Sequence, residues 1–104
     1  MIYVIATLEL AEGRRDDYLD EFKKLILIVR AEAGCLEYGP ALDMPTDIPV
    51  QERVSNNAVT IIERWSDLPA LKEHLVAPHM KIYREAVKNF VVGMKIRILQ
   101  PLDV

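Results

Sequence analysis

Ile2, Val4, Ala6, Leu8 and Leu10 recur at every second position. That is the period of an extended segment with one face on a core. The opposite register, Tyr3, Ile5, Thr7 and Glu9, is only half polar. Gly13 closes this strand, and Asp16 and Asp17 stand where a helix's first turn favours negative charge. The period then changes. Tyr18, Phe22, Leu25 and Val29 form one stripe of a 3.6-residue repeat, widened by Leu19 and Ile26, and predict a helix over 15–33. Gly34 follows where a left-handed residue ends such a helix.

A second strand is predicted over Cys35–Leu42, then a loop over 43–57 holding Pro45, Pro49 and Asn56-Asn57, with a short strand at Ile48–Arg53. Ala58–Trp65 is rich in β-branched residues and predicts a third strand. Ser66 or Asp67 caps a short helix that stops near Ala77, and Pro78 opens another through about Lys88. The last strand is expected at Met94–Leu99, with Met94, Ile96 and Ile98 inward.

The order is β-α-β-β-α-β with a broken second helix. An antiparallel sheet with helices on one face satisfies it, an α+β, ferredoxin-like arrangement in a single domain spanning 1–104. Tyr3, Ile5, Ala58 and Ile62 lie on the minor registers and leave the other sheet face partly apolar. A second copy of the sheet packed there, as a two-fold dimer, is the economical solution.

Apolar residues make up 51% and charged residues 28% of the 104, which excludes a disordered chain. Thirteen basic against sixteen acidic residues, a net charge of −3, argue against a nucleic-acid partner. The longest aliphatic run, Leu25–Val29, is too short for a membrane span. The single Cys35 and the lack of a signal-peptide pattern point to a reducing, cytoplasmic setting.

The two histidines, His74 and His79, flank Pro78. On a continuous helix they would sit about 140° apart and could not share a metal. The Pro78 break allows them to converge, but no cysteine partner or His-x-x-x-His pattern accompanies them, so no metal is expected. They read either as pocket residues or as amphipathic residues at a helix junction. Glu63 shares a register with Ile61 and Trp65, which places a carboxylate in the core layer, where it needs a partner. Trp65 and Tyr38 read as core aromatics or as the lining of a pocket for a flat ring. No phosphate-binding glycine loop or nucleophile elbow is present, so no cofactor is expected.

Four motifs follow one another: Gly34-Cys35-x-x-Tyr38, Glu63-x-Trp65, Leu71-x-x-His74-Leu75-x-x-Pro78-His79-Met80, and Ile96-Arg97-Ile98-Leu99-Gln100-Pro101. Their order and spacing resemble the antibiotic biosynthesis monooxygenase domain family, and within it the small bacterial quinol monooxygenases. The likeness runs from Ile2 to Pro101. It implies a dimeric α+β barrel, and oxidation of a quinol or related electron-rich aromatic by O2 without flavin, haem or metal. His74 is then the first choice as base or hydrogen-bond anchor, and His79 the second. Glu63 would orient a histidine, and Tyr38, Trp65 and Tyr83 would line the pocket. A haem-degrading relative fits less well: Thr7 stands where that branch has Asn, and the axial His of that branch aligns near Arg84. A sugar-phosphate isomerase would want a basic pocket that the charge pattern lacks. The competing class is a non-catalytic dimeric module that binds an apolar ligand.

Overall fold

The computed structural model describes residues 1–103. The chain runs β1 (Ile2–Leu10), α1 (Arg15–Arg30), β2 (Cys35–Ala41), β3 (Ala58–Trp65), α2 (Leu68–Val76), α3 (Pro78–Val87) and β4 (Val91–Leu99). The strands form one antiparallel sheet in the order β2-β3-β1-β4, the split arrangement that the pattern predicts. Its least dimension is 20 Å, the depth of one sheet and one helix layer.

The stripe Tyr18, Phe22, Leu25 and Val29 of α1 is buried against the sheet. The major register of β1 meets it from below. Tyr38, Glu63, Val4 and Ile98 stand side by side across the four strands, and Ile61, Ala6 and Ile96 make the next row. Residues directly opposite in antiparallel strands share a face, so both rows look toward the helices. Ala6 is the small member of its row and leaves room above the sheet between Ile61 and Ile96.

Three local expectations are corrected. The first helix ends at Arg30, three residues early, because residues 31–34 tighten into a turn: Glu32 N–H donates to the Val29 carbonyl at 2.9 Å, and Gly34 takes φ +82°. No strand forms at Ile48–Arg53. The Gln51 side chain instead donates to the Met44 carbonyl at 2.6 Å and accepts from the Thr46 N–H at 3.1 Å, folding the loop on itself. The last strand begins at Val91. Met94, Ile96 and Ile98 do lie on the helix-side register, but they are 62%, 44% and 51% exposed. This edge strand lies beyond the cover of the helix layer.

The helix break is built from two residues. Ala77 is extended, with ψ 145°, as the residue before a proline prefers, and Pro78 fills the first helical position of α3. Among the described residues no helix is long and apolar enough to cross a membrane.

Candidate active site

A cavity of about 280 Å³ lies between the sheet and the α2–α3 segment. Ala6, Leu8 and Ile61 form its floor, and Tyr38 and Glu63 rise from β2 and β3. His74 and Leu75 of α2 and Met80, Tyr83 and Val87 of α3 close it from above. The exposed Arg84, Lys88, Met94 and Ile96 stand at its open side. The interior is apolar with a few inward polar groups, the usual build of a small-molecule site.

His74 is 2% exposed. Its Nδ1 is 2.8 Å from Glu32 Oε2, and its ring lies 4.7 Å from the Trp65 ring and 5.5 Å from that of Tyr38. Burial pushes its pKa below the ordinary 6.5, and the hydrogen bond and charge of Glu32 oppose that shift. The ring is therefore held neutral near pH 7. With Nδ1 facing the carboxylate, Nε2 is the nitrogen left for a substrate proton.

Glu63 is 6% exposed and accepts a hydrogen bond from Trp65 Nε1 at 2.9 Å. Burial drives its pKa up from 4.5 to about 7, the Trp65 bond pulls it down, and the charge of Glu32 adds to the rise. Tyr18 and Tyr83 share a hydroxyl hydrogen bond of 2.5 Å, and burial raises the pKa of both as well as that of Tyr38. These phenols stay protonated at neutral pH, and Tyr38 and Tyr83, which line the cavity, can donate to a bound oxygen.

Glu32 lies between the two histidines. The same Oε2 that meets His74 lies 3.3 Å from Nε2 of His79. Gly34 fixes the turn that carries it: the Ser66 N–H donates to the Gly34 carbonyl at 2.8 Å, and a Cβ at Gly34 would meet Ala70 Cβ at 2.6 Å. Ala70 is one helical turn before His74, so the contact that seats the turn on α2 also brings Glu32 to the imidazole. The three donor atoms lie within 4.8 Å of one another, a grouping that could hold an ion. The 2.8 Å between Nδ1 and Oε2 is, however, a hydrogen-bond distance. Two neighbouring ligands of a tetrahedral ion with bonds of about 2.0–2.1 Å would stand farther apart, at about 3.3 Å.

The family model for antibiotic biosynthesis monooxygenase matches residues 1–86 of this chain. The chain belongs to the antibiotic biosynthesis monooxygenase family. It is accordingly an enzyme of the monooxygenase type. It is 40% identical over 103 residues, 97% of this chain and 98% of the relative, to the Escherichia coli K12 protein named "Probable quinol monooxygenase YgiN". The solved structure of PA3566 from Pseudomonas aeruginosa superposes with a TM-score of 0.81 at 28% identity, covering 98% of this chain and 94% of that one. Rv0793 from Mycobacterium tuberculosis gives 0.80 at 26%, covering 99% and 96%.

In this monooxygenase the structure gathers His74, Glu63, Tyr38 and Tyr83 on one cavity. Two other sequence candidates fall elsewhere. Trp65, fully buried, is not among the cavity walls; it lies behind them and holds Glu63. His79 borders a separate groove between α1 and α3, because the Pro78 break turns it away from the cavity. The orienting carboxylate is also reassigned. Glu63 is committed to Trp65 across its own strand, and Glu32 meets the histidines. Glu32 escaped the sequence reading because it lies in a turn, outside any periodic pattern, 42 residues from His74. One signal marks it: a carboxylate just past a helix C-terminus faces the negative end of the helix dipole and needs a separate reason to be there.

Proposed function

We propose that the protein is a cofactor-independent monooxygenase that oxidises a small quinol or related electron-rich aromatic with O2. One observation carries the reading. A neutral imidazole, His74, is buried in the wall of an apolar cavity with one ring nitrogen held by Glu32 and the other left for substrate. The name of the E. coli relative, a probable quinol monooxygenase, supports the substrate class.

His74 Nε2 takes a proton from the quinol hydroxyl. The resulting anion is electron-rich enough to pass an electron to O2, so the substrate supplies what a cofactor otherwise would. Radical recombination forms a carbon–oxygen bond and a peroxide. The O–O bond then breaks: one oxygen atom stays in the hydroxylated quinone and the other leaves as water. One quinol and one O2 thus give one hydroxyquinone and one water. Glu63, near half-protonated at neutral pH, holds the second hydroxyl, and Tyr38 and Tyr83 supply donors and flat walls. Trp65 acts through Glu63, and Glu32 through His74.

The working unit in this proposal is a homodimer. The chain exposes 7279 Å², against about 5,900 Å² expected for a folded monomer of this size. The excess includes the minor sheet face, where Ile62 is 39% exposed beside Tyr3 and Ile5.

Oxygen uptake with a panel of one- and two-ring quinols tests the activity, using protein stripped of metal and flavin and correcting for autoxidation. Enzyme-dependent uptake that His74→Ala abolishes is expected. Uptake at the autoxidation rate across the panel would leave a non-catalytic ligand-binding module as the better reading.

A further inference from the structure

We propose that His74, Glu32 and His79 form a proton relay that carries the substrate proton out of the cavity through the helix layer, to the groove between α1 and α3. The inference rests on the monooxygenase reading of the His74 cavity and adds a route that the reaction does not itself require.

The geometry is a carboxylate between two imidazoles. Glu32 Oε2 lies 2.8 Å from His74 Nδ1 and 3.3 Å from His79 Nε2. Three separate segments supply these groups: the turn after α1, the last turn of α2 and the first turn of α3. His74 is on the cavity wall, whereas His79 lines the other groove beside Glu21, Lys24 and Ile28, with 25% of its side chain exposed. The triad thus joins the enclosed side of the helix layer to its solvent side.

His79 Nε2 supplies a second observation. It is the one buried side-chain nitrogen or oxygen among the described residues that has no hydrogen bond. Buried polar atoms are nearly always satisfied, so an exception calls for a reason. Nε2 stands 3.3 Å from the carboxylate oxygen with no partner of its own, so a small turn of the ring brings it in line to take a proton from Glu32.

The transfer balances as a single proton displacement. The substrate O–H bond breaks and its proton joins His74 Nε2. The Nδ1 proton of His74 moves to Glu32 Oε2, the Glu32 proton moves to His79 Nε2, and the Nδ1 proton of His79 leaves to solvent. Other titratable groups face this path. Arg84 on α3 opposes charge on His74, Tyr38 and Glu63 face it from the sheet, and Cys35 lies within the field of Glu32.

The test compares wild type with His79→Ala, His79→Gln and Glu32→Gln, with folding checked by circular dichroism. In a quinol oxidation assay, the His79 variants are expected to lose about tenfold or more in kcat with KM within about twofold. Added imidazole should restore His79→Ala but not Glu32→Gln, where the link itself is gone. Wild-type turnover in both His79 variants, or a loss that imidazole does not relieve, would overturn the relay. Imidazole ¹⁵N resonances give a readout that needs no substrate. Coupled titration of His74 and His79 in wild type, uncoupled in Glu32→Gln, is expected, and independent titration in wild type contradicts the relay. If no quinol is oxidised by wild type, the monooxygenase reading fails and the ¹⁵N titration still decides the relay. Zinc ion, added as a probe, is expected not to bind the triad; one tightly held zinc per chain, lost in His79→Ala, would make it an ion site and overturn the relay.

Discussion

Two buried titratable residues on one cavity are pushed in opposite senses by the same cause. Burial raises the pKa of the Glu63 carboxyl and lowers that of the His74 imidazole, so both are driven toward neutrality. For Glu63 the folded pKa, about 7, exceeds the unfolded 4.5. Its contribution to stability is full below 4.5 and is lost as pH rises through 7, on the order of 3 kcal/mol in all. Glu63→Gln should flatten that decline in urea melts between pH 5 and 8; an unchanged slope would contradict the assignment. For His74 the folded pKa lies below 6.5, so stability is lost as pH falls below 6.5. His74→Ala should lower kcat by roughly 10² or more and remove the acid limb of kcat/KM below that value, measured on folded enzyme. Turnover within about threefold of wild type would mean that the imidazole is not the base. The sequence placed Glu63 in the core by its register with Ile61 and Trp65. It did not disclose that Trp65 would be the partner, because that depends on side-chain direction within one strand face.

Among the elements, the turn between α1 and β2 positions the site most tightly. Gly34 has φ +82°, and an added Cβ would run into Ala70 and Ser66. Gly13 has φ +76° with open space around it. Gly13→Ala should therefore cost about 1 kcal/mol, the left-handed strain alone. Gly34→Ala should cost at least about 2 kcal/mol and displace Glu32 from His74, read as a lower kcat at unchanged fold. Equal losses at the two glycines would show that the close approach to α2 does not matter. The left-handed Gly34 and the break at Pro78 were legible, since glycine and proline punctuate a chain by local sterics alone, although the helix itself stops earlier, at Arg30. Burial along β4 was not. Its alternating Met94, Ile96 and Ile98 carry a core signature, but the pattern reports a face and not whether anything covers it. Ile48–Arg53 failed as a strand for a related reason: Pro49 and the absence of a neighbouring strand leave it nothing to pair with.

At the scale of the whole molecule, the apolar minor face and the exposed β4 residues are the features that a lone protomer leaves unfinished. Light scattering at micromolar concentration is expected to give twice the chain mass, with an interface above about 1,200 Å² in total. A single-chain mass would contradict the dimer. The sheet order followed from the element order, so the sequence carried it. That the Pro78 break lets His74 and His79 converge was legible, but Glu32 as their meeting point was hidden because it depends on how two turns and two helices settle on one another. The central claim is that His74 starts a monooxygenation in which O2 delivers one atom to the substrate. Mass spectrometry of the product formed under ¹⁸O₂, by protein stripped of metal and flavin, tests this directly. The account predicts one ¹⁸O atom in the hydroxyquinone, with no accumulation of hydrogen peroxide, and loss of the label with His74→Ala. An unlabelled quinone accompanied by stoichiometric peroxide would show simple oxidation and contradict it.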